Sequence, residues 1–114
     1  MKRYCLALDL KDDASLINEY EQWHRDIPAG ITKSIKEAGI IDMQIYRTGN
    51  RMFMVIESAD DFTFERKQEM DSGNPDVQKW EELMWKFQQP LPNAEPGEKW
   101  KLMQKIFQLK QENQ

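Results

Sequence analysis

"IDMQIYRTGNRMFMVIES", residues 41–58, has the clearest structural pattern in this chain. Apolar and polar residues alternate on both sides of Thr48-Gly49-Asn50, as they do in two half-buried strands. Because glycine and asparagine tolerate positive φ, these central residues suit the tight turn of an antiparallel hairpin. The segment therefore predicts a hairpin whose first strand has two faces, with Ile41, Met43 and Ile45 on one and Asp42, Gln44 and Tyr46 on the other.

The segment "KRYCLALDL", residues 2–10, predicts another strand. Its residues also alternate with a period of two, so successive side chains point to opposite sides. One side is strongly apolar and should face the core, whereas the other mixes polar and small residues. The two sides consist of Tyr4, Leu6, Leu8 and Leu10, and of Arg3, Cys5, Ala7 and Asp9.

Two helices are predicted between this strand and the hairpin. The first covers about residues 15–23 and can be capped by Asp12 or Asp13. Pro28 disfavours a helical residue directly before it, so a turn is expected there. The second helix lies in "AGITKSIKEAG", residues 29–39, where isoleucines at helical spacing mark a buried side.

Two more helices and a last strand are predicted after the hairpin. "DDFTFERKQEM", residues 60–70, predicts a short helix, and Asn74 followed by proline marks the start of the next one. "PLPNAEPGEKW", residues 90–100, is typical of a loop. "KLMQKIFQL", residues 101–109, predicts the last strand, and residues 110–114 a frayed polar tail.

With each helical pair taken as one connection, the order is strand, helix, strand, strand, helix, strand. This is the split βαβ order of a ferredoxin-like α+β fold, with an antiparallel sheet and helices on one face. The other face would carry Gln44 and Tyr46, with Arg3 or Cys5. Because that face is partly apolar, it must be covered by a partner or lined with ligand. The length of 114 residues fits one domain, 1–114.

Composition excludes several classes of protein. The net charge is −4, so the positive surface of a nucleic-acid-binding protein is not expected. No apolar run reaches the roughly 20 residues of a membrane-spanning helix, and the apolar stretch near the N-terminus is too short for a secretory signal. With one cysteine, Cys5, and one histidine, His24, neither an internal disulfide nor a zinc or copper cluster is expected. The single cysteine fits a reducing cytoplasm.

His24 is the one side chain whose ordinary pKa lets it exchange protons near neutral pH. Tyr20 precedes it by one helical turn, so the two side chains are expected on the same face of the first helix. An imidazole and a phenol together can donate a hydrogen bond to one oxygen and accept one from another. The pair is a candidate catalytic site. The alternative is a solvent-exposed histidine at a helix end, where the helix dipole favours its cation.

Several further residues are candidates for ligand binding. Trp80 could stack on a sugar or pack in the core. Glu81 or Glu82 could serve as a second acid–base group or lie on a solvated helix face, and Glu81 is also a candidate for substrate binding. Gln44 and Tyr46, with Arg3 within reach, could hydrogen-bond a ligand on the open sheet face or pack there against a second subunit.

These features together resemble the L-rhamnose mutarotase family. The resemblance rests on Tyr-x-x-x-His at Tyr20 and His24, on the tryptophan in "VQKWEELMWKF", and on the hairpin "IYR…NRMFMVIE". It extends from "KRYCLALDL" to "KIFQL", which is nearly the whole chain. The ending "MWKFQQPLPNAEPGEKWKLMQKIFQL" is similar to a subgroup associated with L-fucose.

The resemblance implies a homodimer of the dimeric α/β barrel type that interconverts the α and β anomers of a 6-deoxy-hexose, L-fucose or L-rhamnose, without a cofactor. It implies that His24 and Tyr20 are catalytic and that Trp80 packs on the sugar. Glu81 stands where the family has a second tryptophan, and Ile27–Gly30 replaces a Trp-Pro-Glu segment of the family. Both departures flank the expected pocket, so the preferred sugar stays open.

The expected function is therefore mutarotation by acid–base ring opening. This reaction needs a proton taken from the anomeric hydroxyl and one delivered to the ring oxygen. Two other functions remain open from the sequence: a small monooxygenase on the same dimeric barrel and a non-catalytic sugar-binding module. The first would consume oxygen, and the second would leave anomeric exchange at its rate in solvent.

Overall fold

The computed structural model describes residues 1–110, in which helices pack against one face of an antiparallel sheet. The strands are β1 (Lys2–Leu10), β2 (Ile40–Thr48), β3 (Arg51–Ser58), β4 (Gln88–Gln89) and β5 (Lys101–Leu102). Their order across the sheet is β2-β3-β1-β4, and β5 also pairs with β1. The predicted α+β fold with split βαβ order is therefore confirmed.

Four helices connect the strands in two pairs. The helices are α1 (Ala14–Arg25), α2 (Ala29–Glu37), α3 (Phe64–Ser72) and α4 (Pro75–Trp85). The pair α1–α2 lies between β1 and β2, and the pair α3–α4 lies between β3 and β4. Each of the four segments that were predicted to be helical overlaps one of these helices.

Side chains cap the first free amides of α1, α3 and α4, whereas α2 begins after Pro28 without a side-chain cap. Asp13 accepts a hydrogen bond from the amide of Leu16 at 3.0 Å, which begins α1. Thr63 accepts one from the amide of Arg66 at 3.2 Å, so α3 begins after residue 63, later than the predicted segment. Asn74 caps α4 as predicted.

The hairpin of β2 and β3 turns at Gly49, which adopts φ of 58°. The pairing of the two strands is irregular between Ile40 and Asp42. Ile41, the extra residue, is 59% exposed, whereas Ile40 is buried. The prediction that Ile41 shares a buried face with Met43 and Ile45 is therefore wrong, because a bulge places two residues opposite one and shifts the alternation.

The core lies between the helices and one face of the sheet. Buried side chains stand at every second position of β3, as the alternation predicts, whereas the second half of β1 is buried on both faces, including Ala7 and Asp9. Tyr20 on α1 and Met84 on α4 pack on the sheet side chains that face the helices, and Phe87 follows α4 into the same cluster. Trp100 packs against this cluster and against a second one around Phe62.

The prediction of a last strand over residues 101–109 is wrong in extent. Only Lys101 and Leu102 pair with β1, and the amide of Met103 adds one hydrogen bond to the carbonyl of Cys5 at 2.7 Å. The same edge of β1 is also used by β4. Because two separate segments share this edge, each forms only a short strand. The predicted frayed tail lies outside the described residues apart from Lys110.

The sheet face that points away from the helices is open within one protomer. Phe53 and Val55 are half-buried on this face, beside Cys5. Residues 103–110, which we call the C-terminal arm, also expose large apolar side chains. Ile106 is 91% exposed and Phe107 is 73% exposed. The protomer therefore leaves two apolar surfaces uncovered.

Candidate functional site

A cavity of about 890 Å³ lies between the sheet and the helices. Its volume is in the range of small-molecule binding sites. α1 supplies Tyr20 and His24 to the wall, α4 supplies Trp80 and Glu81, and β4 supplies Gln88. The structure thus brings four of the predicted site residues together at one cavity.

His24 lies in the last turn of α1 and is half-buried. Its Nδ1 is 2.9 Å from the backbone carbonyl oxygen of Tyr20. Because a carbonyl oxygen only accepts, Nδ1 carries the proton, and Nε2 is left as the basic nitrogen of the neutral ring. Burial lowers the pKa of His24, and the hydrogen bond to Tyr20 opposes this in part. These contacts favour a neutral base over an exposed cation.

Tyr20 is buried directly beside this base. Its ring centroid is 4.3 Å from that of His24, and its hydroxyl oxygen accepts a hydrogen bond from Nε2 of Gln88 at 3.4 Å. Burial raises the pKa of Tyr20 to about 12, while the Gln88 bond lowers it and the charge of Glu81 raises it. The phenol therefore stays protonated at neutral pH and can donate a hydrogen bond without ionising.

Trp80 forms an aromatic wall next to His24. The two ring centroids are 5.6 Å apart with the planes at 61°, an edge-on contact. Trp23 meets Trp80 at 6.2 Å and 81°. Trp80 also packs against the core cluster while it lines the cavity. Trp80 therefore belongs both to the core and to the cavity wall, the two places that the sequence left open for it.

Glu81 is tied to the loop that follows β4. Lys99 donates hydrogen bonds to the Glu81 carboxylate and, at 3.1 Å, to the Glu81 backbone carbonyl. The ammonium of Lys99 also lies 4.6 Å from the ring centroid of Trp85, in a cation–π contact. Both Glu81 and Lys99 line the cavity. The residue that replaces the second tryptophan of the family pattern therefore holds the loop at the cavity wall.

The second departure from the family pattern also borders the site. Ile27 lines the cavity, and Gly30 lies in the first turn of α2. A Cβ atom at Gly30 would stand 3.0 Å from the Asp76 carboxylate, which is closer than most real contacts. Glycine at this position therefore leaves room for the Asp76 side chain in the first turn of α4.

A smaller cavity of about 200 Å³ also borders the Tyr20–His24 pair. Its wall includes Glu21 and Arg47, whose side chains form an ion pair at 2.7 Å between α1 and β2. Tyr20 and His24 border both cavities. A ligand in either cavity would therefore meet the same base.

Three predicted substrate-binding residues line neither cavity. Gln44 and Tyr46 lie on the exposed side of β2, where the tyrosine hydroxyl donates to the Gln44 side-chain oxygen at 2.8 Å. Arg3 is exposed on β1 and pairs with Glu57 at 3.5 Å. The structure separates these residues from Tyr20, His24 and Trp80 by the thickness of the sheet, because the alternation of strand residues puts them on opposite faces.

Gln88, Lys99 and Trp100 line the cavity but were not predicted as site residues. Lys99 and Trp100 stand at the end of a segment that has no periodic pattern, so nothing local indicates where their side chains point. Gln88 belongs to a strand of two residues, which is too short to show alternation.

Within residues 1–110, no group of three or more His, Cys, Asp or Glu side chains is arranged to hold a metal ion. In the same part of the chain, none of the helices has the length and apolar character that crossing a membrane requires. The cavity wall itself presents one imidazole, one phenol, aromatic faces and amide or charged groups.

Comparison with known proteins gives a match over nearly the whole chain. Residues 3–109 match the family model described as L-rhamnose mutarotase. An L-fucose mutarotase of Xanthomonas campestris pv. campestris is 43% identical over 111 residues, which cover 96% of this chain and 89% of that protein.

Two solved structures show the same fold. A crystal structure of an L-rhamnose mutarotase from Formosa agariphila has a TM-score of 0.71 at 16% identity, and the alignment covers 96% of this chain and 100% of that one. A dimeric ferredoxin-like protein from an uncultured marine organism has a TM-score of 0.53 at 17% identity, with 81% and 94% covered. The similarity in structure confirms the ferredoxin-like class.

Proposed function

Because this chain belongs to the L-rhamnose mutarotase family and is a sugar mutarotase, an isomerase, we propose that L-fucose is its preferred substrate and that His24 is its catalytic base. The observation that carries the proposal is the hydrogen bond from His24 Nδ1 to the Tyr20 carbonyl. It fixes Nε2 as the basic nitrogen of a side chain that borders the cavity.

The choice of L-fucose is supported by the relative with that activity and by the wall of the cavity. L-fucose and L-rhamnose differ in configuration at C2 and C4, so discrimination depends on where polar groups meet these hydroxyls. The Glu81–Lys99 pair and Ile27 lie at this wall, at the positions where the sequence departs from the family pattern. A polar wall in place of a second indole favours contacts with hydroxyl groups over stacking.

The reaction can proceed with a single proton carried by His24. Nε2 removes the proton of the anomeric hydroxyl, the C1–O5 bond breaks, and the imidazolium delivers that proton to O5. The open-chain aldehyde then rotates about the C1–C2 bond. Reclosure follows the same steps in reverse, with His24 taking the proton from O5 and returning it to O1. General acid–base catalysis of this kind contributes about 10²–10⁴-fold.

Tyr20 and Trp80 would position the sugar for this transfer. The Tyr20 hydroxyl accepts its hydrogen bond from Gln88 and keeps its own proton, which it can donate to the oxygen that becomes negative. Trp80 would pack its indole on the apolar C–H face of the sugar. Glu81, held by Lys99, would accept hydrogen bonds from sugar hydroxyls.

We further propose that the active form is a homodimer in which a second copy covers the open sheet face. One protomer exposes both this face and the apolar residues of the C-terminal arm, and an exposed apolar surface of this kind is typical of an interface. Gln44, Tyr46 and Arg3 would then lie in the interface instead of the sugar site. Ile106→Lys with Phe107→Lys should convert a dimer to monomer in sedimentation equilibrium, whereas a monomeric parent protein contradicts the proposal.

Saturation-transfer NMR on freshly dissolved sugars tests the function. The protein should accelerate anomeric exchange, with kcat/KM for L-fucose roughly tenfold above that for L-rhamnose, the effect of one good hydrogen bond. A preference for L-rhamnose would contradict the choice of sugar. Binding with exchange at the solvent rate would favour a sugar-binding module, and oxygen consumption with an aromatic substrate would favour a monooxygenase.

The site of action that we propose is the cytoplasm, with the chain acting as a single mutarotase domain. Cys5, the only cysteine, is unpaired and half-buried, as suits a reducing compartment.

A further inference from the structure

Gln88 is a buried polar side chain whose partners within the fold are incomplete. It is 4% exposed, and its Nε2 donates to the Tyr20 hydroxyl. Its Oε1 is buried and, among the described residues, is the one side-chain nitrogen or oxygen atom of that kind without a hydrogen-bond partner. Because buried polar atoms almost always have a partner, the unpaired Oε1 indicates a missing donor, which a ligand hydroxyl in the cavity lined by this side chain can supply once the amide turns toward it.

The backbone holds Gln88 firmly in this place. It is the first residue of β4 and pairs with Leu10 of β1. The preceding residue, Phe87, is fully buried in the core, and its carbonyl accepts a hydrogen bond from the amide of Lys11 at 2.8 Å. The side chain lines the same cavity as Tyr20 and His24. A side chain on a backbone that is fixed in this way can select a ligand by the position of one hydroxyl.

We propose that Gln88 is a specificity-determining residue whose Oε1 accepts a hydrogen bond from the C2 hydroxyl of the sugar. The inference rests on the proposed function, since it takes His24 and Tyr20 to hold the anomeric centre. Two groups flank that centre, the C2 hydroxyl and, across the ring oxygen, the C5 methyl. Only the hydroxyl can donate to Oε1. C2 is also one of the two centres at which L-fucose and L-rhamnose differ, so an acceptor there discriminates between them.

A purely structural role would give Gln88 a different signature. If its function were only to hold the Tyr20 hydroxyl, its loss would affect every sugar that uses Tyr20 to the same degree. A contact with the C2 hydroxyl is instead absent from a 2-deoxy sugar. The two roles are therefore separated by a variant combined with a change of substrate.

The experiment compares L-fucose with 2-deoxy-L-fucose in the parent protein and in Gln88→Met, which keeps the side-chain length and removes both polar atoms. Anomeric exchange is measured by saturation-transfer NMR. Because the variant also loses the hydrogen bond to the Tyr20 hydroxyl, both sugars should lose some activity, but we expect kcat/KM for L-fucose to fall about tenfold more than that for 2-deoxy-L-fucose. Gln89→Met is the matched control, since Gln89 is the exposed neighbour on β4 and lines neither cavity.

An equal loss with both sugars, or no loss with either, overturns the role of Gln88 while the proposed function stands. Absence of exchange in the parent protein overturns the proposed function itself. If Gln88→Met does not fold, the side-chain amide signals of the parent protein decide. They should shift on titration with L-fucose and not with 2-deoxy-L-fucose, and equal shifts with both sugars overturn the inference.

Discussion

Replacing His24 by asparagine separates its role as a base from its role in the helix. The asparagine amide nitrogen lies about where Nδ1 lies, so it can still donate to the Tyr20 carbonyl that accepts from His24 at 2.9 Å. What the variant lacks is Nε2, and an amide does not take up a proton at neutral pH. His24→Asn should therefore keep the local structure and lose the base.

The expected loss follows from the share of catalysis that this base supplies. General acid–base catalysis contributes about 10²–10⁴-fold, which equals about 2.7–5.5 kcal/mol of transition-state stabilisation. The kcat/KM for anomeric exchange of L-fucose in saturation-transfer NMR should fall by that factor. His24 is only half-buried and lies outside the fully buried core, so the free energy of unfolding should change by no more than about 1 kcal/mol.

Two further measurements make the result specific. Sugar binding, followed by tryptophan fluorescence, to which Trp80 beside the substituted position contributes, should persist in His24→Asn. Added imidazole should restore part of the exchange rate in His24→Ala, because it can enter the space of the missing ring. A kcat/KM within threefold of the parent protein in His24→Asn, with the fold intact, would refute His24 as the base.

Three other predictions concern pH and stability. Because burial lowers the pKa of His24 below 6.5, its ring stays neutral to lower pH than free imidazole does. The kcat/KM should therefore be constant around neutral pH and fall only when the pH drops below 6.5. A fall that begins above pH 7 would contradict this. Asn74→Ala removes the acceptor for the amides of Asp76 and Val77 and should cost about 1 kcal/mol in urea unfolding, with unchanged exchange kinetics. Gly39→Ala should lower the free energy of unfolding by about 1–2 kcal/mol in the same assay, because φ at this position is 100°. The loss would come from the backbone, since a new Cβ would meet Phe62 only at an ordinary 3.8 Å. An unchanged midpoint would show that the backbone relaxes.

Local patterns predicted the elements of this fold, whereas departures from those patterns arise from tertiary pairing. The hairpin, the caps at Asn74 and Asp13 and the alternation of β1 each have a signal within a few residues. The bulge that turns Ile41 outward is set by its partner strand, and no composition rule places it. The division of one edge of β1 between β4 and β5 likewise depends on how far the intervening loop reaches.

The residues of the candidate site likewise fall into those that a local pattern predicts and those that only the tertiary structure brings to the cavity. The spacing of Tyr20 and His24 within one helix predicts their contact, because residues one turn apart share a face. Trp80 meets them from a helix that lies more than fifty residues later in the chain, and its place was indicated by the family resemblance. Gln88 and Lys99 reach the cavity from a two-residue strand and an irregular loop, where no periodicity exists to read.

The acceptor that orients His24 is a main-chain atom of its own helix. In many catalytic sites a carboxylate from a distant segment orients the histidine, and the loss of that one side chain disables the base. Here no substitution at residue 20 can remove the carbonyl, and the proposed base together with its orienting group is encoded by five consecutive residues. Substitutions elsewhere in the cavity wall, such as at Glu81 or Gln88, therefore leave the orientation of this histidine unchanged.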